Sequence, residues 1–513
     1  MEPIRLQSIL INHSSSAFIY KNAPHNHIKN KYGLAARYAC NGNDSGFPTQ
    51  SNWRRQMNPL TTNYSPSVAD GPPSQGHFAK VLTFRDLIIY GLVYLAPIGP
   101  WATFAYVYDL SGGAAVLAYL IGIICMYFTA NSYKEISGEV RGAGSVYGYA
   151  REAMGVGPGF IAGWMVLLDY LMIPALMYVF AGIALNTLMP EVPKWVWILI
   201  FAGISLAINW YGVVMSARAN LIFLCVQVLA VVAFVGWALA VAPGPISTAF
   251  PMDAVWSSAI TPQGMFAATS ICVLAFLGFD AITTLTEEVR PEQRHLVGRA
   301  VVSCLLIIGV IAVVQTWVMS GLAKGFAFSD LASGVYDMAG AKVSPMAGHA
   351  MAWIAALVTG LSITPPMLAA VARVLHAMAD GGQLPAGLSK LHSRYHVPQR
   401  TLCLASVISI VIALTFIEMP EELTGIVNFG ALAAYLAVHL SVIALLAVKR
   451  RSGRWIAHLV VPVIGITIIV VVATQMSNSA LYLGLGWFAA GLVYYALLKR
   501  FRQSAAATPI GAA

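Results

Sequence analysis

Two carboxylates and a pair of prolines are the residues best placed to do chemistry. Asp169 and Asp280 each sit deep inside a long apolar run, with no Lys or Arg at comparable depth to neutralise them. A carboxylate at the centre of a bilayer costs about 2.5–3.5 kcal/mol on insertion scales, so each must meet a cavity, a partner or a proton. Proton coupling and attraction of an ammonium group both fit that requirement. The bland alternative is a carboxylate that accepts hydrogen bonds from interrupted backbone and never meets a ligand. The prolines belong to Ala96-Pro97-Ile98-Gly99-Pro100. They remove backbone donors and clash with the preceding turn, so a helix breaks there and bares polar backbone to a small ligand. Phe276-Leu277-Gly278-Phe279-Asp280 is a softer break at similar depth in another run. Trp101 and Phe276 adjoin the breaks and can hold a cation on their ring faces, with Trp317, Trp353 and Tyr435 as further candidates. His439 and His349 are weaker candidates, because a lone intramembrane His more often bonds two helices together.

The elements that carry these residues are membrane spans. Of 513 residues, 58% are hydrophobic and only 10% are charged, too few charges to cover a soluble surface of that size. About 20 apolar residues cross a hydrocarbon core as helix. Blocks that meet this test run near 86–108, 114–133, 158–188, 194–214, 219–241, 265–286, 300–322, 346–371, 401–417, 424–448, 456–476 and 480–498. The chain therefore reads as an all-α polytopic membrane protein of about 12 transmembrane helices, the ninth being short. The two breaks fall in spans 1 and 6, corresponding members of two five-span halves. An odd number of spans makes such halves opposite in topology, and paired broken segments point to a binding site at the midplane. The long connection after span 2 (134–156) and its counterpart after span 7 (323–345) then lie on opposite sides.

The basic residues test that topology. With the N-terminus inside, twenty of the 30 Lys and Arg fall on inside segments and only Lys194, Lys324 and Lys342 fall outside, the other seven lying in the first 79 residues. This alternation puts both termini in the cytoplasm. Residues 1–79 are polar and aperiodic and read as a disordered cytoplasmic tail, with Met57 as an alternative start. A permease domain follows over 80–500, with repeats near 84–241 and 264–448 and accessory helices near 455–498. A short tail, 501–513, ends the chain. The net charge of +9 comes with no basic run interleaved with aromatics, which excludes a nucleic-acid partner. The six Cys form no CxxC and no His-paired metal spacing, so neither a metal nor a cofactor is expected. No GxxxxGK[ST] supports an ATP-driven pump. The two aspartates could also be a protease dyad, but they lie three spans apart without Gly-x-Gly-Asp around them.

Several stretches resemble the amino acid–polyamine–organocation permeases. They are Gly-Ala-Gly-Ser-Val-Tyr-Gly-Tyr-Ala (142–150), Phe-Leu-Gly-Phe-Asp-Ala-Ile-Thr-Thr-Leu-Thr-Glu-Glu (276–288) and Ala-Arg-Val-Leu-His-Ala-Met-Ala-Asp-Gly-Gly-Gln-Leu-Pro (372–385). Leu-Leu-Asp-Tyr-Leu-Met-Ile-Pro (167–174) and Asn-Phe-Gly-Ala-Leu (428–432) are most similar to the bacterial putrescine-importer branch. The resemblance implies a LeuT-like 5+5 inverted repeat plus two accessory helices. It implies secondary active import of an amino acid or a polyamine such as putrescine across the bacterial inner membrane, proton-coupled and by alternating access. An amino acid/amine exchanger and a non-transporting nutrient sensor are the alternatives. By that likeness the substrate meets Ile98, Gly99, Pro100, Trp101, Phe276, Leu277 and Gly278, with Asp280 and Asp169 nearby for an amine. Asp280, Glu287, Glu288 and Arg290, together with Arg141 or Arg151, form gating and coupling pairs. Ser362 and Thr364 are possible sodium ligands, although backbone bonding is their commoner use. Two departures stand out. Trp101-Ala102-Thr103 occupies the place where putrescine importers carry an acid, and Arg141 stands where the family has a proline-containing lead. Putrescine, a basic amino acid and a neutral amino acid all remain open.

Overall fold

The structure, a computed structural model, describes residues 82–140, 146–210, 217–241, 248–392, 395, 397–474 and 476–507. The tail 1–79 with Met57, Arg141, positions 142–145 of the loop motif, and 508–513 lie outside the described residues.

The first span is two helices. α1 (Phe84–Leu95) opens on a capping box in which Thr83 and Asp86 satisfy each other's backbone amides. It ends at Ala96, held at φ +53° before Pro97, since a residue before proline is pushed out of the helical region. α2 (Pro100–Leu110) restarts with proline at its first position, where the missing N–H costs nothing. The two halves meet at a 53° bend. Gln315 donates its side-chain amide to the bared Pro97 carbonyl at 2.8 Å.

Next come α3 (Ala115–Ser137), a connecting helix α4 (Val146–Met154), and the long α5 (Val156–Leu188). At 33 residues α5 is about 50 Å long, so it crosses a bilayer at a tilt. α6 (Lys194–Trp210) and α7 (Ala217–Val241) close the first half. The second broken span is α8 (Pro262–Leu274), a run of turns, and a single turn of helix, α9 (Ala281–Thr284). Gly278 makes this break possible. It adopts φ +109°, and the Tyr94 ring occupies the space a Cβ would take.

The order then repeats. α10 (Val297–Ala323) is followed by a connecting helix, α11 (Gly334–Lys342), and by α12 (Pro345–Leu357) and α13 (Thr364–Asp380). These last two form one 36-residue segment, Pro345–Asp380, widened into a π turn at Val358–Ile363. Pro365 and Pro366 withhold their donors there, and Asn209 and Thr364 supply side-chain hydrogens to the Pro365 and Thr359 carbonyls. α14 (Gln399–Thr415), α15 (Pro420–Val442), α16 (Val461–Ala473) and α17 (Asn478–Ala507) complete the chain.

Among the described residues, eight helices are long and apolar enough to span alone, and α1 with α2 makes a ninth. α6 and α14 are apolar but shorter, and α8 with α9 is interrupted. Each of the twelve expected blocks thus has its helix. α1 packs on α9 and α2 on α8. The broken segments therefore run antiparallel, each placing its first half beside the other's second, as an inverted repeat requires. Large apolar side chains such as Ile222, Leu229, Val232 and Val493 are exposed on α7 and α17, a surface that suits lipid rather than water.

α5 is the hub, packed against α4, α6, α12, α13, α14, α15 and α17. Its contact with α15 is close because Gly430 faces Asp169. A Cβ at Gly430 would lie 2.5–3.0 Å from three Asp169 atoms. Gly430→Ala is expected to wedge α15 off α5 and cost about 1–3 kcal/mol. An unchanged melting temperature of the purified variant would show that these helices part freely. On the far side of α5, Trp164 and Trp487 stack with ring centroids 4.8 Å apart. Each indole N–H donates to the other residue's carbonyl, at 2.9 and 2.8 Å, which fastens α17 to α5.

Candidate functional site

A cavity lies where the two breaks face each other. The first break contributes Ala96, Ile98 and Gly99, then Trp101 and Thr103 from α2, and the second break contributes Ala275 and Leu277. α5 adds Ile173, Met177 and Phe180, whose i, i+4, i+7 spacing puts them on one helix face. Tyr336 of α11 closes another side, and Ala355, Thr359, Ile363 and Met367 line it from the widened α12–α13 segment.

Its polar groups are few. The Thr103 and Tyr119 hydroxyls bond at 3.0 Å, and the Thr359 hydroxyl is spent on the Ala355 carbonyl at 2.7 Å. The Trp101 indole N–H is buried without a partner among the described residues, and the edge of its ring system packs against Phe234. Among the described residues, no charged side chain lines the cavity.

Four of the expected substrate residues, Ile98, Gly99, Trp101 and Leu277, meet there. Pro100 does not line it and serves to start α2. Phe276 turns away to pack edge-on against Tyr119, in the gap left by Gly122. Gly278 acts through conformation, by admitting the Tyr94 ring. Tyr94, Thr103, Tyr336 and the α5 face are further lining residues. Of these, Tyr94 and Thr103 were within reach of sequence reasoning, because they flank the first break.

Asp169 and Asp280, each 2% exposed, are outside the cavity. Both lie near Tyr94, whose ring does line it. Asp280 accepts the Tyr170 hydroxyl at 2.7 Å and sits beside the backbone amides of Gly278 and Ala281. The Oδ1 of Asp169 and the hydroxyls of Tyr133 and Tyr435 are buried with no partner among the described residues. Tyr133, Phe279 and Tyr435 pack together with centroids 5.6–6.0 Å apart. These groups form an acidic, aromatic cluster near Tyr94, and neither aspartate lines the apolar cavity.

Farther along the second broken span, Glu288 and Arg373 of α13 form an ion pair at 3.1 Å, with side chains 10% and 13% exposed. The expected pairing of Glu288 with Arg151 is not what forms. Arg151 instead donates to the Tyr147 hydroxyl at 2.9 Å, four residues back on its own helix. Glu287 and Arg290 join no ion pair among the described residues, and Arg290 uses its backbone N–H to bind the Leu82 carbonyl. His439 bridges α15 to α3 through Ser132 at 2.8 Å and Thr129 at 3.3 Å, the interhelical use expected of it. His349 is exposed. Ser362 accepts from Gln227, and Thr364 serves the π turn.

The amino acid permease family profile matches residues 88–500. The low-affinity putrescine importer PlaP of Escherichia coli (strain K12) is 28% identical over 447 residues, covering 84% of this chain and 96% of that protein. The branched-chain amino acid permease BcaP of Lactococcus lactis is 27% identical over 409 residues, covering 74% and 84%. The vacuolar cationic amino acid transporter 2 of Arabidopsis thaliana is 28% identical over 418 residues, covering 72% and 61%. With two interrupted helices around a shared cavity and a family match across most of its length, the chain belongs to the amino acid permeases.

Proposed function

We propose that this permease is a proton-coupled secondary importer of an amino acid with an apolar side chain, working by alternating access in a bacterial inner membrane with both termini inside. The observation that carries the reading is a break-lined cavity without a charged side chain. A zwitterion suits such a site. Its carboxylate takes the positive end of α2 at Ile98–Trp101, and its ammonium takes carbonyls of the 275–277 turn. The aliphatic wall of Ile173, Met177, Ile363 and Met367 receives the side chain. A diamine would leave one ammonium facing that wall, since Asp169 and Asp280 do not line the cavity, and an unpaired buried charge is costly. The two buried carboxylates are the coupling groups, next to the cavity yet out of the substrate's path. The unequal division of Lys and Arg between alternate connections supports the orientation.

Uptake by proteoliposomes under an imposed proton gradient tests this. Leucine should accumulate at least tenfold above putrescine, and a protonophore should collapse the accumulation. Preferred uptake of putrescine would overturn the substrate. Accumulation that survives the protonophore but stops without sodium would overturn the coupling, and uptake only into preloaded vesicles would mark an exchanger.

A further inference from the structure

The central cavity shares Ala102, Thr103 and Phe180 with a second chamber. This chamber runs between α2 and α15 towards the face assigned to the outside. Two stripes at helical spacing line it: Thr103, Tyr106 and Asp109 on α2, and Glu421, Thr424 and Asn428 on α15. Asp109 and Glu421 are exposed to it and have no ion-pair partner among the described residues. The mouth beyond keeps the same sign, with Asp330, Glu418 and Glu422, and its Lys194 is already held by Glu418 at 2.6 Å.

Acidity alone would be only a field. Asn428 makes it a site. This side chain is 3% exposed and lines the inner end, where its amide nitrogen donates to the Ser270 carbonyl at 3.2 Å. Its Oδ1 has no partner among the described residues. A buried amide oxygen without a partner, on a residue that lines the inner end of an acidic passage, is an unused acceptor there. An ammonium group brings three such donors together with the charge that Asp109 and Glu421 ask for.

We propose that this chamber is an outer site for an alkylammonium cation, with Asn428 Oδ1 as its inner acceptor and Glu421 and Asp109 supplying the charge. It rests on the transport reading above and places a second, cation-binding chamber beside the central cavity. The ammonium end of an incoming amine is held between α2 and α15, one shared wall away from the central cavity. The site takes amines that the apolar cavity does not hold, so a diamine binds here and obstructs the passage.

Equilibrium dialysis on the full chain in nanodiscs at low ionic strength, with labelled putrescine and labelled leucine as probes, tests the proposal. D109N/E421Q and N428L should each weaken putrescine binding, the first at least tenfold, and leave leucine binding unchanged. Ala355→Phe, which fills the central cavity, should remove leucine binding and spare putrescine. Putrescine binding that is unaffected by D109N/E421Q, or lost in Ala355→Phe, overturns the outer site. Weakening by D109N/E421Q but not by N428L reduces the acids to a diffuse field and also overturns it, as does displacement of putrescine by equimolar calcium. Failure of leucine to bind the native chain would strike the central reading instead, leaving the outer site to stand on its putrescine data.

Discussion

Replacing Asp280 by Asn is expected to abolish accumulation of substrate against its gradient while leaving folding and membrane insertion intact. The amide keeps the shape of the carboxylate, and its oxygen can still accept the Tyr170 hydroxyl that now bonds at 2.7 Å. What it loses is the ability to alternate between a charged and a protonated form, the property a coupling group needs. One pH unit of gradient supports roughly a tenfold concentration ratio when one proton accompanies each substrate. In the variant that ratio should fall to about one, the level of passive equilibration, with bound leucine still detectable in the central cavity. Proteoliposomes with an imposed pH gradient give the measurement. A variant that accumulates substrate as the native chain does would remove Asp280 from the coupling path. Tyr170→Phe is the companion change, since it deletes the hydrogen bond and keeps the charge.

Removing Arg373 alone should damage the protein most. Arg373 and Glu288 face each other at 3.1 Å with both side chains largely buried. Breaking such a pair on one side strands the other charge and costs about 3–5 kcal/mol, whereas replacing both partners with apolar residues is often neutral. Arg373→Ala should therefore lower the thermal stability of the purified protein sharply and reduce its yield in the membrane. Arg373→Met combined with Glu288→Met should recover most of the loss. If the single change is tolerated as well as the double one, the pair is solvated and contributes little. A folded but inactive double variant would in addition assign the pair to the transport cycle.

Much of the architecture is legible in the residues because lipid punishes exceptions. Pro97 and Pro100 cannot be accommodated in an unbroken span, so the first break is readable from two letters. The second is readable only in outline. Gly278 is one glycine among 44 in the chain, and its positive φ and the Tyr94 ring against it belong to tertiary packing. Depth along a span is visible in the sequence, whereas the face of the helix is not once a break interrupts the 3.6-residue period. For that reason Asp169 and Asp280 are recognisable as buried acids, yet their place outside the cavity emerges only in three dimensions. Phe276 shows the same gap, since it adjoins the break and still turns toward Tyr119. The ion pair between Glu288 and Arg373 was unreadable for another reason. It joins segments far apart in the chain, and other arginines such as Arg151, which bonds the Tyr147 hydroxyl instead, are equally plausible partners by sequence. His439 was easier, because a single His in an apolar run has few uses other than the bridge to Ser132 and Thr129.

The indole clasp between Trp164 and Trp487 bears on how such a molecule lives among lipids. It binds the outermost helix, α17, to the central hub through two reciprocal bonds that hydrocarbon cannot replace. The share of the lipid-facing perimeter that α17 contributes is thereby tied to α5 rather than to the split segments. If those segments swing during turnover, the part of the outline that α17 presents to the bilayer stays with α5 and does not swing with them.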